Sequence, residues 1–178
     1  MLTHARITHL ALMTLLVAGC GGGAAQDAPR ATAASGKPGQ SAIEVCSLLT
    51  AEEIASVTGA RVGDIKPDTF GTVGTCNYGV PNQPLPVVSV VLAPNMPEVA
   101  NSAEMASWRS QQAGTSYGDL KIIITPIEGL GVPAIRNEVE GMGLVTVEAA
   151  TKGMLVDVTT SSLDMSKALM PKALARLP

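Results

Sequence analysis

From Leu10 to Ala18 the chain reads LALMTLLVA, and this apolar run stops at Gly19 and Cys20. It falls well short of the roughly 20 residues that a membrane-spanning helix needs, but it matches the apolar core of a secretory signal. The preceding MLTHARITHL carries Arg6 and no acidic residue, which suits the positively charged start of such a signal. The first residues are therefore expected to be cut away. Whatever folds lies downstream, in a compartment where disulfides persist.

The run closes with Leu16, Val17, Ala18, Gly19 and Cys20, which resembles the bacterial lipobox. That resemblance implies a diacylglycerol thioether on Cys20 and cleavage just before it. Small residues at Ala18 and Gly19 let a peptidase bind extended backbone closely around the scissile bond. Several acyl chains on one residue, at about 0.8 kcal/mol per buried methylene, hold a protein far more firmly than a single chain does. The expected location is the extracytoplasmic side of a membrane: the outer membrane facing the periplasm in a Gram-negative cell, the cell membrane otherwise.

Residues 21–42, GGGAAQDAPRATAASGKPGQSA, are nearly all Gly, Ala, Ser, Pro and isolated polar side chains. Such a composition cannot bury enough apolar surface to order itself. The expected organisation is a signal peptide over 1–19, a flexible tether over 20–42 and one folded domain over 43–178. Apolar residues are frequent, but aromatics amount to one Trp, two Tyr and one Phe, so the core should be aliphatic. A net charge of -3 without a run of Lys or Arg makes nucleic acid an unexpected partner.

With Cys20 lipidated, Cys46 and Cys76 remain as an even pair, expected to be bonded to each other. Closing a loop of that length contributes roughly 3 kcal/mol. A structural staple is favoured over a redox or metal pair, because the spacing is not C-x-x-C and no soft ligand lies nearby. Both histidines, His4 and His9, precede Cys20. A mature chain without histidine has no Ser-His-Asp or Cys-His catalysis and no H-E-x-x-H zinc site.

Thr50 followed by Glu52 and Glu53 predicts a capped helix that Gly59 ends, with Leu49, Ile54 and Val57 on its apolar face. Strands are expected near Ala60–Ile65, Thr75–Val80 and Val87–Ala93, then a helix within Pro94–Gln112 that ends at Gly114. Leu120–Thr125 and Val132–Glu138 read as strands. Leu144–Ala149 alternates Val145, Val147 and Ala149 against Thr146 and Glu148, and the next run alternates Met154, Val156 and Val158 against Asp157 and Thr159. That pattern predicts a hairpin turning at Lys152 and Gly153, with one wet face. Asp164 is placed to cap a last helix whose stripe is Leu169, Met170, Ala173, Leu174 and Leu177, with Pro171 expected to kink it. The fold class is α+β: one antiparallel sheet of about six strands, with two or three helices packed on one face.

The segments CSLLTAEEIASVTG from Cys46, CNYG from Cys76 and EGLG from Glu128 resemble small cell-envelope lipoproteins of unknown function, familiar from actinobacteria. Over residues 46–177 the resemblance implies a disulfide between Cys46 and Cys76 and a closing strand-strand-helix. It implies no activity. Where relatives often carry an acidic residue after G-L-G, this chain has Val132 and Pro133.

No nucleotide site is expected: Gly129, Leu130 and Gly131 form neither G-x-G-x-x-G nor a P-loop. A tight turn is favoured there over a ligand approach. Glu52 and Glu53 are explained by capping, and Glu138 with Glu140 by a solvated strand face. Trp108 and Tyr117 are expected to pack rather than to stack on a ligand. Sequence reading thus assigns no catalytic or metal-binding residue and no cofactor. It expects a membrane-anchored, non-catalytic binding or structural protein whose partner is an envelope protein, glycan or lipid. The alternatives are an acyl-chain carrier, drawing on eight methionines and aliphatic walls, and a Ser/Lys or carboxylate hydrolase.

Overall fold

Alternation of buried and half-exposed residues along Val88–Pro94 (β3) and Met154–Thr160 (β7) marks both as central strands, and they pair antiparallel from Ser89 opposite Thr159 to Pro94 opposite Met154. In this computed structural model, residues 44–116 and 120–178 are described. The segment with Cys20, the tether and Tyr117 lie outside them. The described residues belong to one compact unit, Gln40–Pro178.

Two meanders meet at the β3–β7 seam. The first consists of Asp64–Phe70 (β1), Val73–Gly79 (β2) and β3; the second of Ile122–Ile127 (β4), Ala134–Val139 (β5), Val145–Thr151 (β6) and β7. Together they make one antiparallel sheet in the order β1-β2-β3-β7-β6-β5-β4. The α+β class is as expected, with seven strands where six were expected. The first strand lies later than the expected Ala60–Ile65: β1 spans Asp64–Phe70, an exposed run, DIKPDTF, with little apolar content. Both edge strands contain a proline, Pro67 and Pro126. A residue without an N–H is tolerated at a sheet edge and discourages pairing with another chain.

Ala51–Thr58 (α1) has the full capping box: Thr50 Oγ1 accepts from the Glu53 amide, and a Glu53 carboxylate oxygen accepts from the Thr50 amide. It stops at Gly59, whose φ of 71° is left-handed and free of cost for glycine. Ser102–Ser116 (α2) begins later than expected, because Pro94 completes β3 and Asn101 Oδ1 accepts from the Glu104 amide. It also runs through Gly114. Leu163–Leu174 (α3) is capped by Ser162 and not by the expected Asp164, which lies in its first turn, and it continues past Pro171.

The helices divide between the two sheet faces. Even-numbered residues of β2, β3, β5 and β7, with odd-numbered residues of β6, share a core with α1 and α3. There Leu169, Met170, Ala173 and Leu177 of the expected stripe are buried. The other face carries α2, whose Met105 and Ala106 pack with Ile135, Ala150 and Leu155. Two helices therefore lie on one face as expected, and the third roofs the opposite one.

On the α1 side, Cys46 and Cys76 are disulfide-bonded, with Cα atoms 5.1 Å apart. Two residues along β2, Tyr78 is fully buried, and its single hydroxyl proton is shared between the carbonyls of Cys46 at 3.0 Å and Leu49 at 3.1 Å. The C-S-L-L and C-N-Y segments thus form one clasp. Glu53 extends it to the C-terminus, taking both terminal nitrogens of Arg176 at 2.9 Å. In the full-length protein, Tyr78→Phe should lose about 1 kcal/mol and Cys46→Ala/Cys76→Ala about 2–4 kcal/mol, read from urea midpoints. Equal losses from the two would contradict this ranking.

Candidate functional site

Along the second hairpin, Lys152 and Gly153 both take positive φ, 51° and 73°, as a two-residue hairpin turn requires. The turn sets Glu148 opposite Asp157 and Thr146 opposite Thr159. The expected polar face is therefore real and is wet only in part: Thr146, Asp157 and Thr159 are half-exposed, whereas Glu148 is covered. Glu148 is 1 % exposed, because α2 lies over it. The same face also holds Ala150 and Leu155, the apolar residues on which α2 sits.

Residues three and four apart share a helix face, so Ser102, Met105, Ala106 and Arg109 all turn toward the sheet. Ser102 closes the near end: its hydroxyl donates to the Ile127 carbonyl at 2.8 Å and accepts from the Ala134 amide at 3.1 Å. That joins the ends of the loop 128–133, in which Gly129 and Gly131 take positive φ, 89° and 75°. Two helical turns on, Arg109 reaches Glu148. Its Nε lies 3.2 Å from Oε1 in hydrogen-bond geometry and 3.0 Å from Oε2 in ion-pair contact only. Asn137 Nδ2, from β5, donates to the same Oε1 at 2.7 Å.

Beside this network is a cavity of about 270 Å³ lined by Arg109, Asn137, Thr146, Glu148, Asp157 and Thr159, with Val139, Met142 and Leu144 at the β5–β6 turn. Its polarity is graded along the strands. The two carboxylates form one cross-strand row, and the next row holds Asn137, Thr146 and Thr159, whose hydroxyl oxygens are 2.8 Å apart. One step further come Val139 and Leu144. Met142 and Leu144, 60 % and 39 % exposed, form an apolar rim.

Asp157 is the anomaly. Its buried Oδ1 has no hydrogen-bond partner, and Glu148 Oε2 has none either. Burial pushes the Asp157 carboxyl well above the usual carboxylate range; the Glu148 charge pushes it the same way, and Arg109 only partly opposes them. Of the two carboxylates, Glu148 is the one that contacts the guanidinium. A proton on Asp157 relieves the imbalance when the cavity holds no other cation.

The residues weighed from sequence do not converge here. Glu53 belongs to the α1 cap, and Glu140 pairs with Lys121 at 3.0 Å. Glu138 pairs with Arg136, its neighbour on the opposite sheet face. Trp108 is half-buried on α2 next to Arg109. Sequence reading passed over Glu148, Asp157, Arg109 and Asn137. The available signal was the run Glu148-Ala149-Ala150: apolar residues on both faces of one strand mark a strand covered on both sides.

A seven-stranded antiparallel sheet roofed on one face by a helix, with a charged, half-open cavity beside it, defines an α+β protein with a polar pocket. Residues 15–170 match a family described as "Protein of unknown function (DUF3558)", and the chain belongs to that family. No curated protein matches it.

The raised Asp157 pKa has a consequence for stability. An acid whose folded pKa exceeds its unfolded value, about 3.9, opposes folding once ionised. The penalty is absent below the unfolded value and complete above the folded one. Asp157→Asn should therefore be more stable than the parent at neutral pH, and the difference should shrink toward zero as the pH falls to about 4. Thermal melts across that range check it; a constant difference would deny Asp157 its raised pKa.

Proposed function

We infer that this protein is an exported, lipid-anchored binding protein that holds a small ligand in the cavity beneath α2. The observation that carries the binding half is the unpartnered Asp157 Oδ1 beside a Glu148 that is 99 % buried, in a cavity open at an apolar rim. Orphaned buried oxygens are costly. A fold keeps them where a ligand supplies the missing donors.

The anchor rests on Leu16-Val17-Ala18-Gly19-Cys20, and the family match, starting at residue 15, takes in that whole pentapeptide. The disulfide fits an oxidising compartment. Among the described residues, no helix is long and apolar enough to cross a membrane. An acyl chain suits this cavity poorly, because two carboxylates, an amide and two hydroxyls line it. Hydrolysis is equally ill served. The cavity lining has neither Ser nor Lys, and Glu148 is held by two donors instead of facing a substrate.

Labelled palmitate tests the anchor: the parent should incorporate it and Cys20→Ala should not, whereas equal labelling would end that half of the reading. For the cavity, the full-length protein purified from its own membrane should retain a small molecule detectable by mass spectrometry. Its yield should fall in a Met142→Trp variant that fills the rim. Retention unchanged by that substitution would place the ligand elsewhere.

A further inference from the structure

Charge counting narrows the ligand class at this cavity, an inference that rests on the binding reading above. The titratable groups that line it are Arg109 from α2, Glu148 from β6 and Asp157 from β7. β5 contributes Asn137 there, and β3 places uncharged Val91 beside Asp157. Arg109 is committed to Glu148, and the Asn137 amide nitrogen is turned to the same carboxylate. What remains facing the cavity is one positive charge short. The unpartnered buried atoms there are acceptors, Asp157 Oδ1 and Glu148 Oε2; the Thr146–Thr159 pair beside them spends one hydroxyl proton between its two oxygens and keeps the other.

We propose that the cavity binds an organic ammonium, its –NH₃⁺ group on Asp157 Oδ1 and the threonine hydroxyls and its apolar body against Val139, Met142 and Leu144. An ammonium brings three donors and no acceptor, the complement of what the cavity presents. A divalent metal fits less well. It takes six or more oxygen ligands in the case of calcium and near-ideal octahedral geometry for magnesium, and the described residues hold no group of three or more His, Cys, Asp or Glu side chains suited to a metal. An anion meets a guanidinium already paired and a carboxylate that repels it. A neutral ligand brings no charge to meet the Asp157 carboxylate, which then keeps its proton.

Binding is a proton exchange. R–NH₃⁺ keeps its three protons, the Asp157 carboxyl gives its proton to solvent, and the carboxylate so formed takes the N–H···O bond. Affinity should therefore rise with pH through the titration of Asp157, until the amine itself deprotonates near about 10. Glu148 and Arg109 are ion-paired to each other.

The test is calorimetric titration of the full-length protein in non-ionic detergent with cyclohexylammonium, cyclohexanol and cyclohexanecarboxylate, three ligands alike in body and different in charge. The ammonium alone should bind, more tightly as the pH is raised above the ordinary Asp value of about 4, with protons released on binding. Asp157→Asn should weaken it about ten- to hundred-fold, the value of a charge-assisted hydrogen bond. Thr159→Val, which keeps both carboxylates, should weaken it less. Cyclohexanol binding as tightly as the ammonium, Asp157→Asn binding unchanged, or binding of the carboxylate would each overturn the ammonium assignment while leaving a ligand cavity standing. Failure of all three ligands would overturn it too, and the native-membrane mass spectrum then decides separately whether the cavity holds anything.

Discussion

The pairing of β3 with β7 is the constraint on which the rest of the structure depends. It joins Ser89–Pro94 to Met154–Thr159, strands far apart in the chain, and turns two separate meanders into one sheet. Its register decides which side chains meet α1 and α3 and which meet α2. A slip of one residue would exchange the two faces of β7, sending Val156 and Val158 to the cavity and Asp157 into the aliphatic core. The hydrophobic cost of that exchange specifies the register. Closing so long a loop before any contact rewards it should also make this the slow step of folding.

Much of this was legible in the sequence, in a recognisable order. Local signals read well: the Thr50 and Glu53 box, the left-handed stop at Gly59, the Lys152-Gly153 turn and the apolar stripe of α3 each depend on residues a few positions apart. The disulfide followed from compartment and parity. What did not read was anything that depends on a distant segment covering a surface. The alternation in Leu144–Ala149 and Met154–Thr159 shows a polar face, but not that Glu148 within it is covered while Thr146, Asp157 and Thr159 stay half-exposed. Only Ala150 and Leu155, just beyond that alternation on the same face, indicate that a helix covers it. The start of α2 was also in plain view, since Asn101-Ser102-Ala103-Glu104 carries a capping signal that Pro94 and Pro97 obscured.

The same logic explains why α2 is only weakly amphipathic. Its inward stripe is Ser102, Met105, Ala106 and Arg109: one hydroxyl that clamps a loop, two apolar residues that seat the helix and one cation. Only the middle of the stripe makes hydrophobic contact. The two ends are spent on polar work, Ser102 on the chain ends of β4 and β5 and Arg109 on Glu148. A helix used in this way loses the periodic signature by which helices are recognised from sequence.

Burying Glu148 is affordable because Arg109 and Asn137 meet its charge from two directions. Asp157 has no such compensation. An apolar residue of similar size would have continued the packing of β7 at lower cost, as replacement of buried charges often does. Stability alone therefore does not account for an aspartate there. The Thr146–Thr159 pair beside it points the same way, since two valines at those cross-strand positions would have given a drier and more stable sheet. A row of polar residues held under a helix, next to a carboxyl group with no partner, is a departure from the economy that the rest of this aliphatic fold obeys. Such departures concentrate where a protein binds something.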